Sequence, residues 1–138
     1  MNVDANVVGL VMLFIAFVSG LILFGFFASK ATGTPRAIEA GPIATHGGVA
    51  AVAIALWFAF TTSPDGELGG IRAFALVLLA VVLIAGIVML GTIKKARADD
   101  PGGDEIPEAM VNPLHIAGHV FVGSLAIIAV VVAAIIGR

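Results

Sequence analysis

Four stretches of this chain carry no charged side chain: residues 5–29, 40–64, 73–93 and 109–137. Each is at least as long as the ~20 residues that a helix needs to cross ~30 Å of hydrocarbon. Composition agrees, with 60% hydrophobic and 12% charged residues, where a soluble domain carries about 25% charged. The mean hydropathy is +1.15. These runs predict an all-α integral membrane four-helix bundle, a single transmembrane domain over residues 1–138 with no room for a separate soluble unit.

Local signals place the helices at about 7–27, 42–61, 71–93 and 113–136. Pro42 suits a first helical turn, and Asn112 followed by Pro113 reads as an N-cap and first helical residue. "KKARADDPGGDEIPEAM" reads as the longest loop, and its "GGDEI" as a turn, because so short a connection cannot hold a cyclase domain. Trp57, near the far end of the second helix, reads as an aromatic-belt anchor.

The charges orient the bundle. Lys30, Arg36, Lys94, Lys95 and Arg97 flank the first and third connections, against Arg72 and Arg138 on the opposite side. The excess predicts both basic loops in the cytoplasm and both termini outside, as in a multi-pass protein of a bacterial-type inner membrane. The first apolar run has no basic leader and no small-residue cleavage site, so it reads as a retained helix. The net charge of −2 offers no footprint for nucleic acid. Zero cysteines exclude disulfides, thiolate metal sites, Cys-ligated iron–sulfur clusters and CxxCH haem attachment.

The halves look duplicated, as a two-helix hairpin repeated over about 1–69 and 70–138. "SGLILFGFFASKA" resembles "AGIVMLGTIKKAR", with Gly20 and Gly25 recurring as Gly86 and Gly91. "EAGPIATH" resembles "EAMVNPLH". A twofold axis along the membrane normal would follow.

That symmetry brings the chain's only histidines, His46, His115 and His119, to one end of the second and fourth helices. Facing imidazoles in a bundle suit one planar metal cofactor, and haem b is the expected one. His46 is one expected ligand. The Glu–Ala spacing makes His115 its partner. Depth favours His119: counted from the far helix ends, it differs from His46 by ~5 Å against ~10 Å for His115. Gly47, Gly48, Gly118 and Gly123 leave space near the histidines, as Gly20, Gly25, Gly86 and Gly91 do on the other helices. Arg36 and Lys94, among the basic loop residues, suit the propionates. Two rivals stand beside haem: a non-haem site of the histidines with Glu39 and Glu108, and a cofactor-free accessory subunit.

Four helices with histidines at matching ends resemble small membrane-anchored b-type cytochrome subunits. The resemblance implies an electron-transfer subunit without independent catalysis, working with a larger membrane oxidoreductase and exchanging electrons with quinone or a partner subunit. Homo-oligomers sharing the cofactor fit the same plan. Cytochromes that conduct across the bilayer stack two haems on four histidines; three histidines at one end imply a single centre.

Overall fold

The computed structural model describes residues 4–30, 40–63, 69–102 and 112–136. They form four helices: α1 (Ala5–Lys30), α2 (Ala40–Thr62), α3 (Gly69–Asp99) and α4 (Pro113–Ile136). All four are long and apolar enough to span a membrane. Large apolar side chains such as Phe14, Ile84, Val88, Phe121 and Ile135 are exposed on the outside of the bundle. A surface this apolar belongs in contact with lipid, where the hydrophobic effect does not penalise it.

The ends of the helices have local causes. Asp4 caps α1: its carboxylate accepts from the Asn6 N–H at 2.8 Å, and its carbonyl accepts from Val7 and Val8. Asn112 caps α4, with its side-chain oxygen accepting from the Leu114 N–H at 2.9 Å. The third helix departs from the expected limit. It continues through "KKARAD" to Asp99 instead of ending at Ile93. Lysine and arginine are good helix formers, and cations in a last turn oppose the negative end of the helix dipole. The charges end the apolar span without ending the helix.

Neighbouring helices run antiparallel in the cyclic order α1–α2–α3–α4. The pairs α1/α4 and α2/α3 have the closest and longest contacts, α1/α2 a shorter one, and α3/α4 touch least. The core is layered. Leu13, Ala53, Trp57, Ala75, Leu79, Ala126, Val130 and Ala133 fill one half. Leu23, Ile93 and Ile116 form a smaller cluster towards the other end. Equivalent positions recur at fixed intervals, Leu13 with Leu79 on α1 and α3, and Ala53 with Ala126 and Trp57 with Val130 on α2 and α4. The interval is 66 residues for the first pair of helices and 73 for the second.

Trp57 corrects the belt-anchor expectation, since it is 0% exposed. Its indole N–H donates to the Asn6 carbonyl at 3.3 Å, and its ring lies 5.6 Å from that of Phe60. Gly9 makes the room: a Cβ there would lie 3.1 Å from Val130 Cγ2 and 3.6 Å from the indole nitrogen. A buried indole needs one polar partner, and the start of α1 supplies it. Arg72 lies 5.4 Å over the Phe60 ring and closes this end of the bundle.

Trp57→Ala should therefore destabilise the bundle by about 3–5 kcal/mol, read as a lower midpoint of thermal unfolding in detergent. Trp57→Phe should lose less. Equal midpoints for both variants and the wild type would return Trp57 to the membrane interface.

Candidate functional site

Between the two apolar layers sits a polar one. His46 is the seventh residue of α2 and His119 the seventh of α4, counting Ala40 and Pro113 as first. Both therefore lie ~9 Å inside their helix starts at 1.5 Å per residue. Their ring centres are 6.4 Å apart and their planes meet at 75°.

Glycine sets this geometry on the closely packed helix pairs. A Cβ at Gly20 on α1 would stand 3.0 Å from His119 Cε1, and one at Gly86 on α3 would stand 3.3 Å from His46 Cε1. Each imidazole lies over a glycine of the neighbouring helix, a backbone position that offers no side chain. The room these glycines make is room for a ring of the protein itself. Gly25 and Gly91 differ, because a Cβ at either would meet nothing within 4 Å.

Polar contacts fix the His119 ring. Ser19 Oγ lies 2.7 Å from the Ala16 carbonyl and 2.8 Å from His119 Nδ1. A hydroxyl has one proton, and the carbonyl accepts it, since otherwise two oxygen lone pairs would face each other at that distance. The nitrogen must then be the donor: Nδ1–H to Ser19 Oγ, and Ser19 O–H to Ala16. That tautomer leaves the Nε2 lone pair of His119 available to a metal. His46 has no such relay. Its Nδ1 is buried beside the Val82 backbone. Ala16 and Val82 are themselves 66 residues apart.

The rings open into a cavity of about 380 Å³ with walls from all four helices. Its lining is aliphatic and aromatic, apart from the two imidazoles and Ser124. Corresponding residues face it from both halves: Phe17 with Leu83, Ile43 with Ile116, and Ile54 with Ile127. A second cavity of about 520 Å³ lies in the α3/α4 seam and shares Leu90, Ile93, Ile116, Val120 and Ser124 with the first. Lys94 and Arg97 stand on its wall. Volumes of this order are those of cofactor sites.

The remaining expected site residues are dispersed. Gly47 and Gly123 line the first cavity, beside the imidazoles. Gly48 and Gly118 are exposed with open space beside them, and Gly118 lines neither cavity. His115, third in α4, is exposed, one turn outside the layer where the other histidines meet. Lys94 is exposed at the rim. Arg36, Glu39 and Glu108 lie outside the described residues. Among the described residues no group of three or more His, Asp or Glu side chains forms a metal-binding cluster. Ser19 escaped the sequence reading, since its partner lies 100 positions away.

The four repeated glycines should separate in experiment. Gly20→Ala should destabilise by about 1–3 kcal/mol through the clash with His119, and Gly86→Ala by less. Gly25→Ala and Gly91→Ala should be neutral or stabilising by up to ~1 kcal/mol. Thermal unfolding of the four variants checks this, and equal effects at all four would remove the special role of the first two.

Compared with known proteins, the chain matches no family model, no curated protein and no solved structure.

Proposed function

We propose that this protein is a membrane electron-transfer subunit that holds one b-type haem between His46 and His119. The observation that carries the reading is the separation of the two rings. Imidazoles that bind one metal from opposite sides, each at about 2 Å, have ring centres about 6 Å apart, and here the value is 6.4 Å. Direct edge-to-face packing also falls within 4.5–7 Å. What favours ligation is the relay through Ser19, which turns Nε2 of His119 into a metal-binding atom, and the apolar cavity beside the rings.

Each part of the site has a task. His46 and His119 supply two ring nitrogens, and Gly20 and Gly86 let the rings sit against the neighbouring helices. The aliphatic walls exclude water, and such burial is one of the means by which a protein sets the potential of a haem. The Lys94 side of the second cavity receives the cofactor's carboxylates. The excess of basic residues supports a cytoplasmic position for this end of the bundle, with both termini outside. Electrons enter and leave there, from quinone or from a larger oxidoreductase subunit. The Trp57 layer fills the opposite half, so the chain holds one centre and not a complete path across the bilayer. The matched intervals of 66 and 73 residues support descent from a duplicated hairpin.

A reduced-minus-oxidised spectrum of the purified protein tests the reading. Soret and α bands are expected in the wild type. His46→Ala and His119→Ala should each lose them, whereas His115→Ala should keep them. Bands that survive both of the first two substitutions would falsify the ligand assignment. A colourless wild type leaves the histidine pair as a packing contact in a cofactor-free subunit, and bound zinc or iron without haem bands points to a non-haem site.

A further inference from the structure

The seam between α3 and α4 has a chemistry that the histidine site does not use. Its cavity of about 520 Å³ is walled by α3 from Leu90 to Arg97 and by α4 from Pro113 to Ser124. The charged residues on its wall are both cations, Lys94 and Arg97, three residues apart and so on one face of α3. Lys95, Asp99 and Asp100 are not part of the wall. Lys94 is the first charge after the apolar run 73–93, so the cations stand where the hydrocarbon ends. The haem proposal gives a task to Lys94 and none to Arg97.

Inward from the cations the seam is apolar. Ile93 and Ile116 are its buried side chains, and Val120 and Phe121 are exposed. The hydroxyl of Ser124 donates to the Val120 carbonyl at 2.8 Å, so its proton is not offered to a guest. From Pro113 to Ser124, α4 rises ~16 Å at 1.5 Å per residue, close to the ~15 Å of hydrocarbon in one leaflet. The slot is thus one leaflet deep and positive at its water end, along the edge where the helices touch least.

We infer that this seam holds an anionic phospholipid, its phosphate on Arg97 and one acyl chain along α4. Charge and length select this occupant together. A guanidinium meets phosphate oxygens through paired N–H donors, and basic pockets between membrane helices take anionic head groups. A zwitterionic lipid fits the slot but brings a positive charge towards the two cations. A free phosphate ion gains nothing from the apolar wall. The inference does not rest on the haem reading.

The test is native mass spectrometry of the full chain in neutral detergent, titrated with phosphatidylglycerol and, separately, with phosphatidylcholine. The wild type should retain phosphatidylglycerol about 5-fold or more tightly than phosphatidylcholine. Arg97→Gln should remove most of that preference, while Lys95→Gln, which takes the same charge from a neighbouring residue outside the wall, should leave it within 2-fold. Ala117→Phe places a ring in the seam from an exposed position that does not line the histidine cavity. It should keep the helical circular dichroism and lose the bound phosphatidylglycerol, so the inference stays testable if Arg97→Gln does not fold. Equal retention of the two lipids overturns the inference, as does an equal loss in Arg97→Gln and Lys95→Gln, which would mark a general basic surface. Undiminished binding by Ala117→Phe overturns it too. A protein without haem bands that behaves as described upholds the lipid site while removing the cytochrome function.

Discussion

The structure depends on a contact made twice: an imidazole from one helix laid over a glycine of the next. A histidine within an apolar span is costly unless it faces protein and finds a polar partner. Gly20 and Gly86 solve the steric half of that problem by letting the ring approach a bare stretch of neighbouring helix. The same contacts lie on α1/α4 and α2/α3, the pairs that touch most extensively. Close helix packing and placement of the histidines are therefore one feature. A side chain at Gly20 would press directly on the His119 ring, and one at Gly86 more lightly on His46.

Around that layer the chain solves a volume problem in each half. The Trp57 half is filled by a large buried indole, with Gly9 letting Val130 of α4 pack close beside it. The other half has only small contacts among Leu23, Ile93 and Ile116, and leaves cavities beside the rings. One end of the bundle is thus a plug and the other a receptacle. Neither outcome follows from hydrophobicity, since both halves are lined by apolar residues. It follows from where the bulk of each apolar side chain falls.

That contrast explains how much was legible in the sequence. Four helices follow from uncharged runs, because span length is fixed by the bilayer and not by tertiary contacts. The cap at Asn112 follows from local chemistry, and its side chain bonds as a cap should. The reach of α3 to Asp99 did not follow, since a cluster of charge marks the end of lipid contact and says little about the end of a helix. The Glu–Ala match pairs His46 with His115 at a 69-residue interval, while the buried residues of α2 and α4 recur at 73. The difference is about one turn, and it separates His115 from His119. Trp57 and Ser19 were missed for a common reason: each role depends on a partner from a distant helix, Asn6 for one and His119 for the other.

The weak seam between α3 and α4 carries its own consequence. A bundle knit tightly along two of its edges and slackly along one parts most readily at the slack edge. The slack edge is a lateral door onto the acyl chains, beside the Lys94 wall. On the haem proposal, a flat hydrophobic cofactor would enter through this edge, with its carboxylates towards Lys94.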